Sequence, residues 1–149
     1  MIFAFFVLAS WLFIILFTSI KKSLTKEENF ILFFFITMVI INIFTIITLN
    51  MKLIQNSSVL EYYYCLLLQR NIIIPLALLT YINLDLFQTR FKKIVFSFLT
   101  FTVLFCFELI LKWLGLKVYV GWRLSFTAIL LLVLMLVTKI GAIILKKIP

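Results

Sequence analysis

Five apolar runs, separated by short polar segments, take up most of the chain: residues 2–20, 30–49, 60–87, 94–111 and 124–145. An α-helix rises about 1.5 Å per residue, so each run is long enough, or nearly so, to cross a hydrocarbon core roughly 30 Å thick. The pattern predicts an all-α integral membrane bundle of five transmembrane helices in a single domain, 1–149. The first run, Ile2 to Ile20, has no basic residue before it and Lys21, Lys22 and Lys26 after it. A cleavable signal peptide shows the reverse order, so the run reads as a retained first helix. Thr25-Lys26-Glu27-Glu28 has capping-box spacing, with Thr25 at the cap and Glu28 three residues on, and should start the second helix. In that helix Thr37, Asn42, Thr45 and Thr48 occupy less than half the circumference at about 100° per residue. They are expected to hydrogen-bond to neighbouring helices, with a polar pore lining as the sharper alternative. Asn50 to Ser58 reads as a polar loop.

The third run, Leu60 to Phe87, carries a charge deep inside it. Arg70 lies nine residues from Glu61 and fifteen from Asp85, which puts it roughly 13 Å below the Glu61 end. A guanidinium at that depth costs from about 3 to more than 10 kcal/mol unless it meets a carboxylate, a carbonyl or water. Tyr63, Arg70, Ala77 and Tyr81 share one face of a regular helix. Pro75 removes a backbone donor and frees the carbonyl of Asn71, so it should bend the helix, either for shape or as a hinge. The fourth helix runs antiparallel and brings Glu108 near the same end. Glu108 is therefore the expected partner of Arg70, whose long side chain can reach upward. Arg70, Glu108, Tyr63, Asn71, Pro75 and Asn42 make up a candidate intramembrane polar site. Cys65 and Cys106 fall at similar depth, as free small hydrophobes or, less simply, as a disulfide.

Composition and charge then narrow the classes. Only 13% of residues are charged and 66% are hydrophobic, against about a quarter charged in a soluble domain. The net charge of +9 is no nucleic-acid footprint, because the basic residues gather at the ends of the apolar runs, where they set topology and meet anionic lipid. One side would hold Lys21, Lys22, Lys26, Arg90, Lys92, Lys93, Lys139, Lys146 and Lys147, with Lys139 snorkelling to the surface; the other would hold Lys52, Lys112, Lys117 and Arg123. The positive-inside rule then puts the N-terminus outside and the C-terminus in the cytoplasm. Tyr62, Tyr63, Tyr64, Trp113, Tyr119 and Trp122 belong at headgroup level, Gly115 and Gly121 permit tight turns, and Val118 to Val120 should form a short extended piece across the outer face. With no His and two isolated Cys, metal, haem and thiol-redox cofactors are disfavoured. No nucleophile–base or paired-carboxylate spacing supports an enzyme.

Glu108 to Trp122, E-x6-G-x3-Y-x-G-W, resembles a feature of a family of uncharacterised small multi-spanning membrane proteins of spore-forming low-GC Gram-positive bacteria. Members of that family often have Asn before the Gly-Trp and a His near the C-terminus. Val120 stands at the first place here and the chain has no His, so any shared His chemistry is not carried over. The resemblance implies a bacterial inner-membrane location and brings no activity with it.

The leading expectation is a structural or accessory membrane protein whose partners are the lipid bilayer and another membrane protein or a second copy of itself. A small transporter or channel using Arg70 and Glu108 is the alternative. An odd number of spans, without paired Gly/Pro breaks, counts against the inverted-repeat design. A sensor or regulator, with the Pro75 bend and the Arg70 pair as a two-state element, is a further alternative.

Overall fold

In a computed structural model, which describes residues 1–85 and 89–148, five helices are long and apolar enough to cross a membrane: α1 (Ile2–Ser19), α2 (Lys26–Asn50), α3 (Leu60–Asp85), α4 (Arg90–Trp113) and α5 (Leu124–Lys147). The expected end of the third run, residues 86 and 87, lies outside the described residues. Helices α2 and α4 begin about one turn before the expected 30 and 94, because their leading Lys, Glu and Arg residues are good helix formers. The capping box forms as expected: Thr25 Oγ1 accepts from the Glu28 N–H at 3.2 Å, and the Glu28 carboxylate accepts from the Thr25 N–H at 2.7 Å.

The interior is mostly apolar, as in a soluble domain, but the outer surface is apolar too and a few polar side chains are enclosed. Trp11, Phe34, Met38, Phe98 and Leu136 are exposed, whereas Asn29, Gln69, Asn83, Asp85, Glu108 and Lys117 are buried. An apolar perimeter around polar contacts is stable in hydrocarbon and aggregation-prone in water. This arrangement is compatible with a multi-pass membrane helical bundle.

Helix α3 is the axis of the bundle: 61% of its span is buried, against 17–28% for the other four. It packs on α1, α2, α4 and α5, and α5 also packs on α2 and α4. Helix α1 follows α3 and touches α4 through Phe5, Phe6 and Phe13, whose rings lie 6.0–6.3 Å from Phe107. Gly141 lets α5 approach α2, since a Cβ there would sit 3.2 Å from Leu32 Cδ1.

Asn83 fastens the α1–α2 connection to the far end of α3. Its Oδ1 accepts from the N–H groups of Ser23 and Leu24 at 3.0 and 3.1 Å, and its Nδ2 donates to Asn29 Oδ1 at 2.7 Å and to the Leu79 carbonyl at 2.9 Å. Every hydrogen-bonding position of the amide is thus used.

Pro75 is accommodated by a π turn over Gln69–Ile73, closed by the Ile74 N–H donating to the Gln69 carbonyl. Proline cannot donate to Asn71 and its ring crowds that carbonyl; the wider turn just before it absorbs both effects. One inserted residue shifts the phase of the two halves by about 100°. The face expected to be shared by Tyr63, Arg70, Ala77 and Tyr81 is accordingly divided: Tyr63 and Arg70 line a small crevice beside α2, whereas Ala77 and Tyr81 line a groove between α1 and α4.

The segment before α3 and the one between α4 and α5 join into a small ribbon. Strand β1 (Ile54–Asn56) pairs antiparallel with β2 (Lys117–Tyr119), Ile54 opposite Tyr119 and Asn56 opposite Lys117. The extended piece expected at 118–120 is real but shifted by one residue, and its partner lies in the segment read as a plain loop. This ribbon end also holds the N-terminus, whose amine lies 3.9 Å from Glu61.

Candidate functional site

The site is built by the end of α4. Gly115, at φ +74°, takes the left-handed conformation that stops the helix, and its N–H donates to the Lys112 carbonyl at 3.1 Å while that of Leu116 donates to Leu111 at 3.0 Å. These are the two bonds of a Schellman motif, with the usual apolar contact supplied by Leu111 and Leu116, both fully buried. The reversal carries the chain back over α4 and into β2. Strand alternation then turns Lys117 inward and Val118 outward.

Lys117 Nζ meets both carboxylate oxygens of Glu108, at 2.9 and 3.1 Å, and stands 4.6 Å from the centre of the Phe44 ring. Gln69 Nε2 donates to Glu108 Oε1 at 2.6 Å from the first position of the π turn. Gln69, Glu108 and Lys117 are 1%, 3% and 4% exposed. They form a closed, nearly neutral triad joining α3, α4 and β2, covered by the ribbon.

This corrects the expected Arg70–Glu108 pair. The Schellman reversal delivers Lys117 directly onto Glu108, and Gln69 rather than Arg70 turns toward α4. Arg70 is half-buried, and its Nε donates to Asn71 Oδ1 at 3.2 Å. Asn42 is exposed and donates to the Met38 carbonyl at 2.8 Å. Thr37 and Thr48 likewise bond the carbonyls of Phe33 and Phe44 in their own helix, at 2.8 and 2.6 Å. For these three residues the expected links between helices are replaced by back-bonding, because the carbonyl four residues earlier is within reach of a hydroxyl or short amide.

Of the loop residues, Tyr119 and Trp122 meet at Thr127, Gly121 lies against Leu53, and Gly115 stands at the end of α4. Trp122 Nε1 donates to Thr127 Oγ1 at 2.8 Å, and the Tyr119 hydroxyl lies 3.4 Å from the same oxygen. Burial, and then the nearby Glu108 charge, push the Tyr119 phenol above its usual range, against the opposing Thr127 hydrogen bond. Gly121 N–H donates to the Leu53 carbonyl at 3.3 Å, and a Cβ at this position would come within 2.8 Å of Leu53 Cδ2. Trp113 stands apart, 87% exposed.

At the opposite end Lys139 turns back so that its Nζ lies 3.2 Å from Asp85 Oδ2 rather than only reaching outward. The Asp85 carboxylate accepts no directed hydrogen bond among the described residues, so this contact is one of charge. Cys65 is buried and Cys106 exposed, both free, and no disulfide joins them.

The residues that a linear reading passes over are Gln69, Lys117, Thr127, Asn29 and Asn83. One signal for Lys117 is present in the sequence: Gly115 flanked by Leu111 and Leu116 is a helix-stop pattern, and a stop there folds Lys117 onto Glu108. The cavities beside the triad are small, about 10 and 30 Å3. Much larger is an apolar groove of about 590 Å3 between α1 and α4, floored by Ala77 and Tyr81 of α3 and walled by Leu12, Phe13, Leu99 and Val103. No group of three or more His, Cys, Asp or Glu suited to a metal ion occurs among the described residues. Compared with known protein families, curated proteins and solved structures, the chain matches none of them.

Proposed function

We infer that the chain is a small polytopic protein of a bacterial inner membrane, and that it works as a structural or accessory subunit, binding another membrane protein or a second copy of itself within the bilayer. The observation that carries this reading is the α1/α4 groove, whose 590 Å3 lie between transmembrane-length helices and are lined almost wholly by apolar side chains. In hydrocarbon, two helices that both follow α3 gain van der Waals contact by filling such a gap. The Glu108 triad supports the same reading, because the Glu108 carboxylate is held by Lys117 and Gln69 and the triad sits beside small cavities. The resemblance of the Glu108–Trp122 segment to small proteins of spore-forming bacteria supports the inner-membrane location, with the lysine-rich end toward the cytoplasm.

A small transporter or channel is the second reading, favoured by the half-buried Arg70, which no carboxylate meets among the described residues. The two readings part in one experiment. A photocrosslinking side chain placed at Leu12 or Leu99 should capture a single membrane protein, or a second copy, in stoichiometric amount from native membranes. Filling the groove with Ala9→Phe should abolish that capture while the protein stays folded. If positions 12 and 99 crosslink only to lipid, and Arg70 variants instead lose ion flux at normal folded yield, the accessory reading is wrong.

A further inference from the structure

Among the described residues, Arg70 stands without a counter-ion of its own. The chain has five acidic residues, and each is already placed. Glu27 and Glu28 belong to the first turn of α2, at the end opposite the ribbon. Glu61 faces the N-terminal amine at 3.9 Å and accepts from the Phe3 N–H at 3.4 Å; at nine residues' distance along α3 it is roughly 13 Å from Arg70. Asp85 faces Lys139, and Glu108 is held by Lys117 and Gln69. Of the five N–H donors of a guanidinium, one, on Nε, reaches Asn71. The two terminal nitrogens make no hydrogen bond to protein among the described residues. With Lys117 cancelled by Glu108, one positive charge is left over at a depth where an uncompensated cation costs at least about 3 kcal/mol.

Arg70 lines a crevice of about 30 Å3, together with Thr48 of α2, Asn56 of β1, Tyr63 of α3 and Lys117 of β2. Asn56 and Tyr63 are exposed, so the polar side of this crevice leads to the ribbon-end surface. A space of that size admits about two water-sized groups, which matches two oxygens of an oxyanion but not a whole metabolite. A planar guanidinium with both terminal nitrogens free is the side chain best suited to grip such a pair of oxygens.

We propose that the Arg70 crevice is an oxyanion site that takes a phosphate group, two of its oxygens on the Arg70 guanidinium and the body of the molecule outside the crevice. The phosphate belongs either to a phospholipid headgroup of the ribbon-end leaflet or to a soluble phosphate compound. The site is distinct from the α1/α4 groove: Arg70 opens toward α2 and the ribbon, on residues that the groove does not share.

The test uses the full chain purified in phosphate-free maltoside detergent. Short-chain phosphatidylglycerol, inorganic phosphate or a phosphate-free diacylglycerol is added, and thermal stability and native mass spectra are read. A headgroup site predicts saturable binding and stabilisation by phosphatidylglycerol alone; a soluble-anion site predicts the same with inorganic phosphate. In either case Arg70→Gln should weaken binding at least tenfold, Arg70→Lys should recover part of it, and Lys112→Gln, an exposed cation at the same end, should bind as the unaltered protein does. Arg70→Lys keeps the charge and so guards against loss of binding through misfolding. Equal stabilisation by diacylglycerol, unchanged binding in Arg70→Gln, or no phosphate-dependent effect in the unaltered protein would each overturn the site.

Discussion

Removing the cation of the Glu108 triad should cost this protein a large part of its stability, and removing the anion as well should give most of it back. Lys117 Nζ lies 2.9 Å from Glu108 Oε2, with both side chains 4% exposed. At that distance and an effective dielectric near 20, their attraction is about 6 kcal/mol, part of which offsets the desolvation of the two charges. Lys117→Met keeps the length of the stem but strands Glu108 with one amide donor, and buried pairs broken in this way lose about 3–5 kcal/mol. Adding Glu108→Gln removes the stranded charge and leaves a carbonyl oxygen for Gln69 to donate to. The double variant should therefore be more stable than Lys117→Met by at least about 2 kcal/mol. The assay is reversible unfolding in mixed micelles, followed by the fluorescence of Trp122, whose indole bonds Thr127 beside the site. A double-mutant loss equal to the sum of the single losses within about 0.5 kcal/mol would refute the coupling. The same cycle run on Arg70→Gln and Glu108→Gln should show less than about 1 kcal/mol; a larger value there would return Glu108 to Arg70.

Three further outcomes follow from the geometry. Asn83→Leu takes partners from two backbone N–H groups and from Asn29, and at about 1–3 kcal/mol for each stranded group it should lower stability by about 3 kcal/mol or more, read in the same unfolding assay. Gly115→Ala meets no atom within 4 Å at its new Cβ but must hold φ +74°, so it should lose about 1 kcal/mol from backbone strain alone, and Gly115→Asn less. Tyr119 keeps its proton to higher pH in the folded protein than its ordinary value of 10.0. The unfolded chain then releases that proton first, so stability should be level below about pH 10 and fall as pH rises from there toward the raised folded value. Tyr119→Phe should remove that part of the slope in unfolding midpoints measured between about pH 9 and pH 11; an unchanged slope would show that Tyr119 does not titrate in this way.

Much of the architecture is legible along the chain because it depends on quantities local to a segment. Run length and hydropathy mark out five helices of membrane-spanning size, and the Thr25–Glu28 box starts α2 as its spacing implies. The central place of the third run also follows from its composition, since a charge as deep as that of Arg70 requires contacts that lipid cannot supply. The pairing of charges is not local. Depth alone points Arg70 at Glu108, but Gln69, at the start of the π turn ahead of Pro75, is the α3 residue that faces the carboxylate, and the Schellman turn at Gly115 folds Lys117 back onto it. Each change amounts to one residue or one dihedral angle, too small to alter hydropathy, yet each redirects a side chain by a quarter turn or more. The alternation of apolar and polar residues thus determined which segments form helices long and apolar enough to cross a membrane, with starts within about one turn of those observed. Only the tertiary structure decided which cation holds Glu108 and left Arg70 facing a crevice, because that choice rests on the relative rotation of packed helices.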